Sequence, residues 1–304
     1  MPLRLPRLTR RQFLKRAALA GTAAALTPTS YARLFGRPHD QNTFVLFSDT
    51  HIAADSLLDH GGVNMADNLA ACVRDLGKWP VMPAAVFING DLAFKSGLPG
   101  DYSTFGKLIE SVRAMSPIYL SVGNHDDREN FWVAFPDDAK RLKAVPQKQA
   151  ALVTGYHANW FLLDSLDITD SAPGEVGAAQ YTWLSSALER HQEKAAIIVC
   201  HHNMQSPGST TGLKDTPAMN ELFARHRHVK AFVFGHTHNW HVEEHPSGVH
   251  LVNLPPTSYP FSPGRPSGWV RCKLTRAGAE FELLALDPNN PEHGQMTKLQ
   301  WRKA

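Results

Sequence analysis

The sequence has 304 residues, of which 43% are hydrophobic and 19% charged, the balance of a soluble globular protein of one or two domains. The formal net charge is +3, but six of the 31 basic residues lie in residues 1–32, which contain no acidic residue. The remaining chain has 25 basic and 28 acidic residues and lacks the positive charge typical of nucleic-acid binding. The cysteines Cys72, Cys200 and Cys272 match no zinc-site or CxxC spacing, so we expect buried thiols.

Residues 1–32 resemble a twin-arginine export signal. The sequence TRRQFLK at residues 9–15 matches the twin-arginine motif, including the phenylalanine, leucine and lysine that follow the arginine pair. The apolar segment at 17–26 is too short for a stable transmembrane helix, and residues 30–32 offer a small-x-small cleavage site. We therefore expect export by the twin-arginine translocase to the periplasm or another extracytoplasmic compartment, rather than a basic amphipathic helix. A polar linker follows at 33–42.

From residue 43 onward, apolar runs alternate with segments of helical spacing. We predict strands and helices in the order strand 43–48, helix 64–78, strand 84–88, helix 102–115 and strand 117–122. This alternation is typical of a parallel sheet with crossover helices. Each predicted strand is followed by polar residues that can bind a metal or move a proton. These residues lie at the sheet edge where open α/β folds bind their ligands.

The second half of the chain predicts a second sheet. Residues 136–150 are charged and irregular. Strands are predicted at 151–153, 160–163, 195–199 and 229–234, and helices at 176–191 and 217–226. Four β-rich segments follow at 240–244, 249–254, 268–274 and 279–285, with a proline-rich loop at 255–268. We expect one domain at 43–287 and a weakly ordered tail at 288–304.

Five short polar clusters follow predicted strands. They are Asp49-x-His51, Gly90-Asp91, Gly123-Asn124-His125, His201 and Gly235-His236-x-His238. Residues i and i+2 at a strand end point the same way, so Asp49 and His51 can reach one ion. Carboxylate, imidazole and amide donors without a thiolate suit Mn, Fe, Zn or Co rather than a structural zinc site. The donors are too many for one ion, which indicates two ions about 3.5–4 Å apart that share a carboxylate.

In order and spacing, these clusters resemble the calcineurin-like metallophosphoesterase family over roughly residues 43–255. The segments GDL at 90–92 and GNHDDR at 123–128 are most similar to its cyclic-nucleotide and glycerophosphodiester phosphodiesterases. The resemblance implies an α/β fold, a four-layer α/β/β/α sandwich with two mixed β-sheets flanked by helices. It also implies a dinuclear-metal phosphoesterase that hydrolyses small phosphoesters, chiefly phosphodiesters, by a metal-bound hydroxide.

The resemblance also implies roles for single residues. One ion would take Asp49, His51, Asp91 and His238, and the other would take Asp91, Asn124, His201 and His236. Asp91 would bridge the two ions, and His125 would be a non-ligand histidine that stabilises charge or protonates the leaving oxygen. In the pair His201-His202, His201 is favoured as the ligand because the family's histidine is the first after the strand. His202 would then be a pocket residue.

Candidate substrate-binding residues are Asn64, Arg128 and His202. In the loop at 255–268, Arg265 offers a guanidinium fork for a phosphate oxygen, and Tyr259 and Phe261 offer rings that could stack on a base or cover a glycerol unit. Alternatively, the loop only joins two strands and packs its aromatic side chains beneath it.

Other functions on this sequence stay open as alternatives. A phosphomonoesterase would use the same fold. An inactive exported metal-binding protein is a further alternative, although the complete ligand set and His125 argue against it. No haem, iron–sulfur or dinucleotide motif supports a redox protein.

Phe94 stands where purple acid phosphatases have a tyrosine, so no tyrosinate is expected there. We expect a small phosphoester as the partner, and no specific nucleic-acid or membrane partner.

Overall fold

The computed structural model describes residues 2–4 and 37–303. Most of the export signal predicted at 1–32 lies outside these residues, including Arg10 and Arg11. The short strand β1 (Leu3–Arg4) pairs in parallel with a strand at Ala151–Thr154. In the part of the chain that is described, no helix is both long and apolar enough to cross a membrane.

One sheet has six strands. In spatial order they are β15 (Met296–Gln300), β14 (Gly278–Ala285), β13 (Gly268–Leu274), β2 (His39–Ser48), β5 (Met82–Asn89) and β6 (Ile118–Ser121). Strands β2, β5 and β6 run parallel, as the strand–helix alternation predicts, and β13, β14 and β15 add antiparallel partners. The sheet is therefore mixed, and its parallel half holds the first three predicted strands.

The other sheet has seven strands. In spatial order they are β1, β7 (Ala151–Thr154), β8 (Ala158–Leu162), β9 (Ala195–Val199), β10 (Val229–Phe234), β12 (His250–Asn253) and β11 (His241–Glu244). Strands β8, β9, β10 and β12 run parallel, whereas β7 is antiparallel to β8 and β11 is antiparallel to β12. A separate hairpin joins β3 (Asp59–His60) to β4 (Val63–Asn64).

Helices cover the outer face of each sheet. They are α1 (Met65–Gly77), α2 (Pro99–Met115), α3 (Arg128–Ala134) and α4 (Pro136–Arg141) on one side, and α5 (Ala178–Arg190) and α6 (Thr216–Arg225) on the other. The side chain of Asn64 caps α1 by accepting a hydrogen bond from the backbone N–H of Asp67.

Alternating side chains along the strands produce four layers. Phe44 and Leu46 of β2 face the other sheet and pack in a shared core that includes Trp160 of β8. Val45 and Phe47, one residue along, face the core beneath α1 and α2. A third core lies between the second sheet and α5 and α6. The α/β/β/α sandwich expected from the family resemblance is therefore confirmed.

The C-terminal segment differs from the weakly ordered tail predicted at 288–304. Residues 296–300 form the edge strand β15, and Leu299 is buried in the core between the sheets. The sequence MTKLQ shows no clear alternation because only one of its side chains is buried. The short helices α3 and α4 were likewise not predicted, since six or seven residues are too few to establish a helical period.

Hydrogen bonds of the Arg302 side chain hold the C-terminal segment against the second sheet. Removal of this side chain should therefore destabilise the fold. Its guanidinium donates hydrogen bonds to four backbone carbonyls, those of Phe223, His226, Val229 and Ser247. We expect Arg302→Ala to lower the free energy of unfolding by about 2–3 kcal/mol, measured by urea denaturation. The exposed neighbour Lys303→Ala is the control, and equal stability of the two variants would contradict this role.

Candidate metal centre

The seven predicted metal ligands lie together at the carboxyl ends of five parallel strands. Asp49 and His51 follow β2, Asp91 follows β5, Asn124 follows β6, His201 follows β9, and His236 and His238 follow β10. Strands β2, β5 and β6 are neighbours in one sheet, and β9 and β10 are neighbours in the other. Both sheets therefore contribute ligands to one shared edge, the position at which α/β folds bind ligands.

The carboxylate of Asp91 lies between two groups of donors. Its Oδ2 is 3.6 Å from Nε2 of His51 and 3.3 Å from Nε2 of His201. On the first side, Nε2 of His238 lies 3.0 Å from Nε2 of His51 and 3.5 Å from Oδ1 of Asp49. All four side chains of this first group are buried, as expected for a ligand set that holds an ion away from bulk water.

The second group surrounds His201. Its Nε2 lies 3.3 Å from Oδ1 of Asn124, and its ring centroid is 5.3 Å from that of His236. Donor atoms of His201, His202 and His236 also lie within 4.8 Å of one another. The residues of both four-residue sets expected from the sequence therefore lie close together, and their division between two ions stays a prediction.

The histidines present their free nitrogens to the centre. In His51, His201 and His238, Nδ1 is within hydrogen-bond distance of a backbone carbonyl, so Nε2 keeps its lone pair for an ion. These carbonyls belong to Phe94, Asn89 and Tyr259, at 3.2, 3.0 and 2.5 Å respectively. His236 is reversed, because its Nε2 faces the carbonyl of Thr211 at 3.0 Å and leaves Nδ1 free. The adjacent lone pairs of His51 and His238 fit a shared cation.

Burial keeps most of these histidines neutral, as ligation requires. It lowers the pKa of His51 and of His238 to about 4, and that of His236 to about 3. Burial also lowers the pKa of His201, but Asp91 outweighs this effect and raises the pKa to about 9. For Asp91, burial is likewise outweighed, here by His201 and His51, and its pKa lies well below the usual range. A cation bound between them would compete with a proton for Nε2 of His201.

The backbone at the ligands is unusual. Five of the seven ligands have positive φ angles, whereas only two other non-glycine residues in the described ranges do. The five are Asp49 (52°), His51 (49°), Asp91 (48°), His236 (68°) and His238 (49°). A positive φ costs a non-glycine residue about 1–3 kcal/mol and persists only where surrounding structure enforces it. These turns, rather than extended strand ends, bring the paired side chains inward.

Two glycines allow the ligand loops to approach one another. A Cβ atom on Gly90 would collide with the ring of His201, and one on Gly123 would collide with the carboxylate of Asp91. Gly90 also has a φ of 76°. Glycine is therefore required at both positions by space, and at Gly90 by backbone conformation as well.

Asp126 is a supporting residue that the sequence did not identify. Its buried carboxylate accepts hydrogen bonds from the backbone N–H groups of Leu92, Ala93 and Gly123 and from the hydroxyl of Tyr102. Burial, with Asp91 nearby, raises the pKa of Asp126 to about 7. The residue thus joins the loop after β5 to the loop after β6. Its place in the GNHD segment was visible, but its contacts depend on the tertiary structure.

His125 lies at the open side of the centre. Its backbone N–H donates to Oδ1 of Asp91 at 2.8 Å, and its ring centroid is 5.2 Å from that of His51. Nδ1 lies 2.7 Å from the carbonyl of Lys95 and 3.3 Å from Oδ1 of Asp170. These contacts orient the ring and leave Nε2 available to a bound molecule.

The three candidate substrate residues have different surroundings. His202 lies beside the centre, with its ring centroid 4.6 Å from that of His236 and its Nδ1 2.7 Å from Oγ of Ser165. Its Nε2 is buried without a hydrogen-bond partner among the described residues. By contrast, the guanidinium of Arg128 forms two hydrogen bonds with Asp164.

The side chains of Arg128 and Asn64 both form hydrogen bonds within the protein. Arg128 also donates to the carbonyl of Leu166, and the Asn64 side chain donates to the carbonyl of Ser56 while it caps α1. The described contacts of these two residues are therefore structural, and their predicted substrate roles gain no support.

The family assignment follows from comparison with known protein families. Residues 43–240 match the family of calcineurin-like phosphoesterases. The chain belongs to this family, which confirms the resemblance carried by the five polar clusters.

Relatives with assigned activities are similar over about two thirds of the chain. A cAMP/cGMP dual specificity phosphodiesterase of Mycobacterium tuberculosis is 28% identical, over 68% of this chain and 65% of its own length. A glycerophosphodiester phosphodiesterase of Enterobacter lignolyticus is 22% identical, over 69% of this chain and 75% of its own. The chain thus matches slightly less than two thirds of the mycobacterial protein.

Solved structures support the fold independently. A dimetal phosphatase from Danio rerio superposes with a TM-score of 0.65 at 14% identity, covering 86% of this chain and 99% of that one. Such similarity establishes a common architecture. The chain thus belongs to the calcineurin-like phosphoesterases and shares its architecture with a dimetal phosphatase.

Replacement of the shared carboxylate should affect both donor groups. We expect Asp91→Asn to lower the metal content per chain, because the neutral amide cannot compensate the positive charge of two cations. Elemental analysis after dialysis against metal-free buffer measures the effect. Asp75→Asn makes the same change at an exposed site in α1 and should keep the wild-type content. A full metal complement in Asp91→Asn would show that Asp91 is not a shared ligand.

Proposed function

We propose that the protein is a dinuclear-metal phosphodiesterase for small phosphodiesters, of the cyclic-nucleotide or glycerophosphodiester type. The observation that carries this proposal is the position of Asp91 between His51 and His201, with a separate donor group on each side. Two ions held in this way would polarise the phosphoryl oxygens and supply a nucleophile at neutral pH. The donors contain no thiolate, which favours Mn, Fe, Zn or Co.

The protein residues position the ions and handle the proton. Buried carboxylates and imidazoles fix the centre on rigid strand ends, so little reorganisation is needed when a substrate binds. His125 is assigned to the leaving group, because its Nδ1 is engaged by the carbonyl of Lys95 and its side chain is 29% exposed. In the protonated ring, the Nε2–H donates its proton to the departing ester oxygen.

Charge near the centre favours a diester over a monoester. A phosphomonoester carries more negative charge and benefits from additional cationic groups. The guanidinium of Arg128 is bound to Asp164, and that of Arg265 is bound to Asn239 and Glu292. Neither arginine is therefore free to balance a second negative charge. The activities of the two bacterial relatives described above support the same choice.

Synthetic esters give the first test of the proposed activity. We expect higher kcat/KM for bis-p-nitrophenyl phosphate than for p-nitrophenyl phosphate, in metal-free protein to which Mn, Fe, Zn and Co are restored one at a time. Hydrolysis of cyclic AMP and of glycerophosphodiesters then separates the two substrate types. A preference for the monoester would overturn the diesterase proposal and favour a phosphomonoesterase. Inactivity with every metal would favour a non-catalytic metal-binding protein.

Replacement of His125 should separate catalysis from metal binding. We expect His125→Ala to reduce kcat by roughly 10²–10⁴-fold, because the leaving oxygen loses its proton donor. Metal content should not change, since the ring is not among the donors that surround Asp91. His241→Ala removes an exposed histidine and is the control. Near-normal kcat in His125→Ala, or loss of its metal, would contradict the assigned role.

We further propose export through the twin-arginine translocase, on the strength of the motif at residues 9–15. Replacement of Arg10 and Arg11 by lysine should retain the protein in the cytoplasm, as measured by cell fractionation. Replacement of Arg4 and Arg7 by lysine is the matched control and should leave export intact. Normal export of the Arg10/Arg11 variant would exclude this route.

A further inference from the structure

Aromatic rings line one side of the metal centre and are not among the predicted metal ligands. We call the rings of His60, Phe94, Tyr259 and Phe261 the aromatic wall. His60 lies 5.0 Å from Tyr259 and 5.3 Å from Phe94, between ring centroids. The wall thus joins the β3–β4 hairpin and the loop after β5 to the loop at 255–268.

Phe261 is the part of the wall that best fits a ligand. Its ring stacks on that of His238, with centroids 4.0 Å apart and planes inclined by 7°. One face therefore covers a metal ligand, while the side chain remains 65% exposed. An exposed phenylalanine at this position contradicts the alternative that the loop's aromatic side chains all pack beneath it. Tyr259, by contrast, is partly buried and lies 5.1 Å from His238.

The loop that carries these rings is fixed to the ligand loops. It crosses from β12 in one sheet to β13 in the other, at the edge where the metal ligands lie. The backbone N–H of Ser258 donates to the carbonyl of Asp49, and the carbonyl of Tyr259 faces Nδ1 of His238. Arg265 fastens the far end through Asn239 and the carbonyl of Trp240. Arg265 is thus an anchor of the loop rather than a fork for phosphate.

The opposite side of the centre is polar. There His236 contacts the carbonyl of Thr211, and His202 contacts Ser165. A phosphodiester has two ester groups, and the two sides of this centre therefore suit different groups. A flat ring gains stacking on the aromatic side, where Phe261 presents an exposed apolar face.

We propose that the aromatic wall, with Phe261 as its exposed face, binds the planar ring of one ester group, and that the substrate class is nucleoside phosphodiesters. The proposal rests on the proposed phosphodiesterase function. A phosphoryl group held by the ligands beside His238 places its ester substituent next to Phe261. Stacking of a base on this ring accepts any nucleobase, because each has a π face.

Substitution of Phe261 tests this assignment. We expect Phe261→Ala to lower kcat/KM for cyclic AMP by about 5- to 150-fold, the range for loss of one base-stacking contact. The decrease should appear mainly in KM. Hydrolysis of glycerophosphoethanolamine, which has no ring, should fall by a smaller factor than hydrolysis of cyclic AMP. Phe261→Trp should retain the cyclic AMP activity because it keeps a flat face. Tyr156→Ala, which removes an aromatic side chain that is 63% exposed on the β7–β8 turn, is the control.

The outcomes separate the wall from the catalytic proposal. Equal losses for both substrates, loss of metal, or no loss in Phe261→Ala would overturn the proposal. Calorimetric binding of AMP and of glycerol 3-phosphate to metal-loaded protein gives a second measurement that needs no turnover. Weaker binding of AMP alone in Phe261→Ala would support the wall even if the phosphodiesterase proposal failed. Unchanged AMP binding would reject the wall even if that proposal held.

Discussion

The buried carboxylate of Asp91 has positive or polarisable partners on two sides. It lies within 3.6 Å of His51 in one direction and of His201 in the other. A carboxylate without exposure to water is costly unless charges or hydrogen bonds compensate it. Here the compensation comes from histidines of both sheets, together with the backbone N–H of His125. The centre consequently exists only while the two sheets hold their relative position.

The core between the sheets enforces that position. Trp160 of one sheet packs on Phe44 and Phe87 of the other, with ring centroids 4.8 and 4.7 Å apart. Such close packing tolerates little displacement, and it sustains the left-handed backbone at five of the ligands. The free energy gained by apolar burial between the sheets thus offsets the cost of the positive φ angles at the site. A variant that loosens this core should therefore also disturb the positions of the candidate ligands.

Much of the fold was predictable from the sequence because each ligand cluster follows a buried apolar strand. The parallel strands and crossover helices produce clear periods, and the ends of those strands place Asp49, Asp91 and Asn124 at one edge. Edge strand β15 was not predictable, since only Leu299 among its residues is buried. Arg128 was proposed for the substrate because of its proximity to His125 in sequence, yet its partner Asp164 is distant in sequence and becomes a neighbour only in the fold.

The aromatic wall shows the same limit for the candidate site. The rings of Tyr259 and Phe261 were evident in the loop at 255–268, but their relation to His238 depends on how the loop crosses between the sheets. Hydrogen bonds from Ser258 and Arg265 determine that path, and they involve residues far apart in sequence. The candidate metal ligands could therefore be predicted from local sequence pattern, whereas the surface that we propose for substrate recognition depends on long-range contacts.

Anomalous X-ray diffraction from crystals of the metal-loaded protein tests the shared-carboxylate centre most directly. Data collected at the absorption edges of the bound metals should show two peaks about 3.5–4 Å apart, one on each side of the Asp91 carboxylate. One peak should be surrounded by Asp49, His51 and His238, and the other by Asn124, His201 and His236. A single peak at full metal loading, or two peaks without Asp91 between them, would contradict a centre built around this carboxylate.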